Sequence, residues 1–248
     1  MKKLSHDPIR ALLNATTVVA DRNEQGIDGR VVMCGNSNSK IGEEYRMLQT
    51  HLHSLEKDRQ FKSIMITSSV EDEGKTITCC NLAVLLSADV KKKVALVDCD
   101  MRKPFLHKML NIKQSPGFCD ILSGKCEVSD FMKTPTIGNV FVIPAGDVSL
   151  HPSEVLRNPA IKTIFDTLAS SFDYVVIDTS PTLPVSDSRI IGALCDAVIL
   201  VVRFDRVSKK SIKDAFSLLK AANAEPMGSI LTDFRPQIYQ RARYSYYY

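Results

Sequence analysis

Gly74, Lys75 and Thr76 close a polar loop that leaves the apolar run Ile64-Met65-Ile66 and leads into Ile77 to Ser87, a stretch that reads as a helix. A glycine, a lysine and a hydroxyl in that order suit one task, the holding of a polyphosphate and its cation. The first amides of a helix have no partner within it and carry the positive end of its dipole, so phosphate oxygens settle there. Lys75 would reach the β and γ phosphates, and the Thr76 hydroxyl would ligate Mg²⁺. The nucleotide-contacting set is therefore Ser69, Asp72, Glu73, Gly74, Lys75, Thr76 and Ile77. The first glycine of G-x-x-x-x-G-K-[ST] is replaced by Ser69, and Glu71, Asp72 and Glu73 put three acids into the loop. Taken alone, the stretch is also compatible with an ordinary helix start bearing dipole-friendly carboxylates.

Two other stretches supply acids of the right kind. Val94-Ala95-Leu96-Val97-Asp98-Cys99-Asp100-Met101-Arg102 ends an apolar run with two carboxylates and an arginine, and Tyr174-Val175-Val176-Ile177-Asp178 ends another with one. Short continuous runs rich in β-branched residues are what parallel strands buried on both faces look like. In a doubly wound sheet the carboxyl ends of such strands line the ligand crevice, which would bring Asp98, Asp100 and Asp178 beside Lys75 and Thr76. As turn residues alone, the three acids would have no reason to accompany Gly74-Lys75-Thr76.

Further elements follow from periodicity. Helices are expected over Lys40 to Leu55, Ile77 to Ala88, Asn158 to Ser170 and Ser208 to Ala222. Strands are expected at Val94 to Asp98, Asn139 to Ile143, Tyr174 to Asp178, Asp196 to Val202 and Met227 to Thr232. Between Arg102 and Met132, Pro104, Pro116 and Gly117 break the pattern into short helices. Helices alternating with apolar strands predict an α/β fold with a mainly parallel sheet flanked by helices. Residues 1–39, polar with one apolar patch, read as a flexible N-terminal arm. Residues 40–235 read as the folded domain, and residues 236–248 as a mobile tail.

The order apolar-D-x-D-x-R, here Val94 to Arg102, resembles the second Walker-type motif of the bacterial tyrosine kinases. Asp178-Thr179-Ser180-Pro181 is similar to that family's third motif, D-x-x-P. The resemblance runs from about Lys40 to Asp233. It implies a P-loop NTPase of the partitioning-ATPase-like type that uses ATP and Mg²⁺ to phosphorylate tyrosine. Lys75 and Asp100 would then be catalytic, Thr76, Asp100 and Asp178 would serve the metal, and Asp98 would accept the tyrosine proton. Arg102 would steady the site or meet a neighbouring subunit, and reads equally as an ordinary surface arginine. Glu43 and Arg46 match the first two positions of the family's E-x-x-R-x-x-R ring motif, and Gln49 replaces the last arginine; read without the family, they are a surface i,i+3 ion pair. By the same resemblance the chain controls exopolysaccharide or capsule synthesis and export. Its implied partners are further copies of itself in a ring, a membrane adaptor that activates it, and an opposing tyrosine phosphatase.

Composition narrows the alternatives. The 248 residues are 44% hydrophobic, enough for one α/β domain with a large core. A net charge of +4 is too small to argue for nucleic acid. Seven cysteines lack paired C-x-x-C spacing and look like small buried residues of a reducing compartment. No window approaches the roughly 18–20 apolar residues of a membrane helix, and the first residues lack the apolar core of a signal peptide. The expected location is the cytoplasm, with recruitment to the membrane by a partner.

Five of the seven tyrosines, Tyr239, Tyr244, Tyr246, Tyr247 and Tyr248, lie in the last ten residues. By themselves these aromatic and basic residues would suit stacking on RNA or adhesion to a partner. With the resemblance, they become the sites of autophosphorylation between subunits. Departures from the family pattern predict weak ATP binding: Glu71-Asp72 stand where Pro-Gly is usual, and Asp72 would bear a positive φ at a cost of roughly 1 kcal/mol. Two other readings compete. A Min- or Par-type ATPase would carry a signature lysine where this chain has Val70, and a catalytically weak export scaffold would bind a membrane partner without ATP.

Overall fold

A computed structural model describes residues 9–14, 22–35, 38–56, 59–88, 92–148, 152–224 and 226–234. Its strands are β1 (Ile9–Asn14), β2 (Ser63–Ser68), β3 (Val94–Asp98), β4 (Val140–Ile143), β5 (Tyr174–Asp178), β6 (Ala197–Arg203) and β7 (Pro226–Phe234). They form one sheet in the order β1-β7-β6-β2-β5-β3-β4, with every pairing parallel. The helices are α1 (Lys40–Glu56), α2 (Lys75–Leu86), α3 (Leu106–Leu110), α4 (Phe118–Leu122), α5 (Pro152–Val155), α6 (Ala160–Ser171), α7 (Asp187–Gly192) and α8 (Lys209–Ala221).

Side chains of a strand alternate between faces, and this alternation divides the core in two. Ile64, Ile66, Val94, Leu96, Val176, Ile199 and Val201 pack under α1 and α2. Met65, Ala95, Val97, Val175, Ile177, Val198 and Leu200 pack on the opposite face under α6 and α8. Each of these positions is almost completely buried, and burying one such side chain contributes about 1.5–3 kcal/mol. Burial on both faces explains why the strands read as unbroken apolar runs instead of alternating ones.

The topology places β2 at the centre. The chain leaves β2 through α2 to reach β3 two places away, later fills the gap with β5, and then crosses to β6 on the other side of β2. This reversal of direction opens a crevice at the carboxyl end of β2, where doubly wound sheets hold ligands.

Several expectations shift. The helix expected from Ile77 begins at Lys75, because Gly74 adopts φ 96° and turns the chain into its first turn. Strand β7 extends to Phe234. Helix α7 follows Pro184, where periodicity marked no element. Residues 22–35 do not lie loosely as an arm would: Ile27, Val31 and Val32 are buried. The Asp28 amide donates to the Met109 carbonyl at 2.8 Å, and the Met33 amide to Asn81 Oδ1 at 3.0 Å. Strand β1 also adds to the sheet edge beside β7. A polar stretch with only a few apolar residues gave no periodic signal, yet those few find the exposed flank of α2. The tyrosine-rich tail, residues 236–248, lies outside the described residues.

Candidate nucleotide site

A cleft of about 790 Å³ opens above the carboxyl ends of the central strands, lined by Glu71 to Thr78 of the loop and the start of α2. The β3–α3 connection adds Asp100, Arg102 and Lys103, the β5–α7 connection adds Ser180 and Pro181, and β6 and β7 add Arg203 and Thr232.

The loop keeps its shape through its own acids. Glu73 is fully buried; its Oε2 accepts the Val70 amide at 2.8 Å and its Oε1 the Arg203 amide at 3.0 Å. The Thr232 hydroxyl donates to the Glu73 carbonyl at 2.8 Å and so fixes the residue before Gly74. Burial raises the Glu73 carboxyl above its ordinary pKa, against the pull of those amides. Asp72 has φ 60°, the left-handed conformation anticipated for this position. Its carboxylate meets the Arg206 guanidinium at 3.1 Å, and Glu71 pairs with Lys103. Repulsion of a triphosphate by the three loop carboxylates is thus moderated. Two are paired with cations from neighbouring loops, and the third points into the protein.

The chemical centre lies where β2, β5 and β3 end. The Thr76 hydroxyl donates to Asp178 Oδ2 at 2.5 Å. Asp178 is 1% exposed, and its Oδ1 has no hydrogen-bond partner among the described residues. Burial pushes the Asp178 carboxyl up to about 6, against the pull of the Lys75 ammonium and the Thr76 hydroxyl, while Asp100 adds repulsion. Parallel pairing sets Asp98 directly beside Asp178. Burial, then Asp178, then Asp100 raise Asp98 well above the usual carboxylate range.

The two acids of D-x-D take different positions. Asp98 is fully buried beneath the cleft, and its oxygens accept the amides of Asp100 at 3.0 Å and Leu106 at 3.2 Å. It does not line the cleft, whereas Asp100 does. Asp100 Oδ1 accepts the amides of Arg102 at 3.3 Å and Lys103 at 3.1 Å, a turn that places the largely buried carboxylate at the cleft wall. Arg102 is held by partners outside the phosphate loop: its Nε donates to Asp187 Oδ2 at 2.7 Å and its Nη2 to the Ser153 hydroxyl at 2.8 Å. Asp187 is 1% exposed, so this pair ties the D-x-D-x-R turn to α7 and α5.

A divalent cation fits these residues. The unpartnered Asp178 Oδ1 requires a positive neighbour, and three buried acids at adjacent strand ends repel one another without one. Among the described residues no three metal-type side chains converge into a cage. Mg²⁺ does not need such a cage, since it takes one or two carboxylates and completes its shell with water and phosphate oxygens.

Spacing alone did not point to Arg203 and Arg206, which hold the loop acids, or to Asp187, which holds Arg102. They lie far along the chain and arrive through sheet order. On α1, Glu43 and Arg46 form an exposed ion pair at 2.6 Å. Gln49, at the third position of that motif, instead donates to the Leu85 carbonyl of α2 at 3.3 Å.

A parallel sheet that presents a glycine-lysine-threonine loop at its switch point, against a buried acid bonded to the threonine, defines a P-loop nucleotide-binding protein. The comparisons agree and go further. The AAA domain family matches residues 61–229. Tyrosine-protein kinase YwqD of Bacillus subtilis is 30% identical over 217 residues, covering 88% of this chain and 90% of its own length. Tyrosine-protein kinase Wzc of Salmonella typhi is 33% identical over 222 residues, 88% of this chain; the chain spans 30% of the length of that relative. The kinase domain of Escherichia coli tyrosine kinase ETK superposes with a TM-score of 0.82 at 26% identity, covering 90% of this chain and 88% of that one. The chain belongs to the bacterial tyrosine-protein kinases. Pyrococcus horikoshii MinD, whose structure holds Mg-ADP, shares the fold alone, with a TM-score of 0.58 at 23% identity over 68% of this chain and 69% of that one. No described helix is long and apolar enough to cross a membrane.

Proposed function

We propose that this chain is an ATP-dependent protein-tyrosine kinase. The observation that carries the reading is the Thr76–Asp178 hydrogen bond at the switch point, with Lys75 beside it and Asp178 Oδ1 left for a cation. Family membership supports tyrosine as the acceptor. Bound Mg²⁺ would be served by Thr76, Asp178 and Asp100, and it would neutralise charge on the phosphates.

Phosphoryl transfer needs mostly positioning and charge neutralisation. The α2 N-terminus and Lys75 hold the β and γ phosphates. The tyrosine oxygen forms a bond to the γ phosphorus as the bond from that phosphorus to the β–γ bridging oxygen breaks, and ADP leaves. The tyrosine proton passes to a carboxylate. On this geometry Asp100, at the cleft wall, takes the role expected of Asp98. Asp98, with both oxygens engaged by amides, fixes the turn that presents Asp100.

The acceptors are Tyr239, Tyr244, Tyr246, Tyr247 and Tyr248 of a neighbouring copy, in a ring that uses Glu43 and Arg46. The process is regulation of exopolysaccharide or capsule synthesis and export, at the inner face of the membrane, with a membrane adaptor as activator and a tyrosine phosphatase in opposition. A phosphorylated tail carries dense negative charge, so phosphorylation loosens the ring by repulsion.

The test is the intact mass of purified protein after incubation with Mg-ATP, beside Lys75→Ala, with and without a candidate adaptor. Phosphate increments on the C-terminal peptide that are lost in Lys75→Ala are expected. Phosphotyrosine that persists in Lys75→Ala, made in a host without such kinases, would refute the site.

A further inference from the structure

The chain after β5 is fastened to the root of the phosphate loop almost residue by residue. The Thr179 hydroxyl donates to the Ile66 carbonyl at 2.9 Å. The Ser180 carbonyl accepts the Thr67 hydroxyl at 2.9 Å, and the Thr182 and Leu183 amides donate to the carbonyls of Ser68 at 2.8 Å and Ser69 at 3.2 Å. Thr182 also spends its hydroxyl here, 3.2 Å from that of Thr67.

Two hydroxyls along this seam find no partner among the described residues, those of Ser69 and Ser180, and of the two only Ser180 lines the cleft. It is 1% exposed. A buried hydroxyl without a partner is unfavourable, and native proteins rarely keep one unless a ligand or water completes it. Its setting indicates the partner. Two residues earlier, Asp178 Oδ1 has no hydrogen-bond partner among the described residues; Ser180 lacks an acceptor. A phosphate with its cation satisfies both needs at once. The cleft wall formed by Ser180 and Pro181 faces the loop from the β5 side, so it meets the phosphate group that projects beyond the loop's own amides. With the seam holding its backbone rigidly to β2, the Ser180 hydroxyl is preorganised for that contact.

We propose that the Ser180 hydroxyl donates a hydrogen bond to an oxygen of the γ-phosphoryl group of bound ATP. It is then a further phosphate-contacting residue, one that distinguishes triphosphate from diphosphate and holds the γ-phosphoryl group in position for transfer. The inference rests on the kinase reading for its rate consequence and on the nucleotide site alone for its binding consequence.

The experiment compares wild type, Ser180→Ala and Ser180→Thr. Affinities for ADP and for β,γ-imido-ATP are measured by calorimetry with Mg²⁺, and phosphotyrosine formation is measured with Mg-ATP. Ser180→Ala should weaken β,γ-imido-ATP severalfold, leave ADP binding unchanged, and lower kcat on the order of tenfold or more. Ser180→Thr, which keeps the hydroxyl, should retain the wild-type ratio of the two affinities. Equal losses for ADP and β,γ-imido-ATP in Ser180→Ala, or no loss for either, would overturn the proposal; so would a Ser180→Thr protein that behaves like the alanine variant. A wild-type chain that binds both nucleotides without making phosphotyrosine refutes the kinase reading, and the affinity ratio still decides the role of Ser180.

Discussion

Asp178→Asn should stabilise the nucleotide-free protein while abolishing its response to Mg-nucleotide. The Asp178 carboxyl rises from the usual 3.8 to about 6 because burial disfavours its charge, with Asp100 adding to the rise. At about 1.4 kcal/mol per pH unit, the charged form then costs the fold about 3 kcal/mol. The sign follows from proton binding. Between pH 3.8 and about 6 the folded state holds more of the proton than the unfolded chain does, so stability is full below that window and is lost as pH rises through it. Asparagine is neutral throughout, and its oxygen still accepts the Thr76 hydroxyl. Relief of Asp98, which Asp178 repels, adds in the same direction. The orphaned asparagine amide subtracts about 1 kcal/mol. Urea unfolding in EDTA at pH 4 and pH 8 reads the difference between the two proteins. The variant's advantage should grow by about 2–3 kcal/mol from pH 4 to pH 8, and thermal stabilisation by Mg-ATP, expected in wild type, should vanish. A variant no more favoured at pH 8 than at pH 4 would show that Asp178 bears no desolvation penalty in the fold, and the argument for a cation at its Oδ1 would fail with it.

Two other substitutions probe the loop and the close packing of Gly117 against the chain after β4. Asp72→Gly removes a residue at φ 60° and an exposed ion pair with Arg206 of small worth; a gain of up to about 1 kcal/mol in urea unfolding and a lower KM for ATP are expected. In Gly117→Ala the new methyl would meet the Pro144 carbonyl oxygen at 2.2 Å and the Gly146 nitrogen at 2.4 Å, both backbone atoms that cannot turn aside. That should destabilise by about 1–3 kcal/mol or more in the same assay, a result that an unchanged midpoint would contradict.

The phosphate loop, the two acid-bearing strand ends and the parallel α/β architecture were legible in the sequence, because each is a local pattern. An unbroken apolar run marks a strand buried on both faces, Gly74 marks the turn into α2, and hydrophobic spacing marks helices. The family could be named for the same reason, since its motifs are short and contiguous. The cost of positive φ at Asp72 was legible too, being a property of one residue. What required the tertiary structure was every relation that sheet order creates. Placing β6 beside β2 brings the Arg203 amide to Glu73 and carries Arg206, just beyond the strand, to Asp72, turning a crowd of loop carboxylates into a paired and buried set. Which acid of D-x-D reaches the cleft depends on which oxygens the backbone claims, and the amides of Asp100 and Leu106 claim those of Asp98. Arg102 turned to Asp187 because α7 presents a buried carboxylate there. Residues 22–35 packed on α2 with too few apolar positions to form a period. Local chemistry is written in neighbouring residues, whereas desolvation and long-range pairing depend on which distant segments the topology makes adjacent.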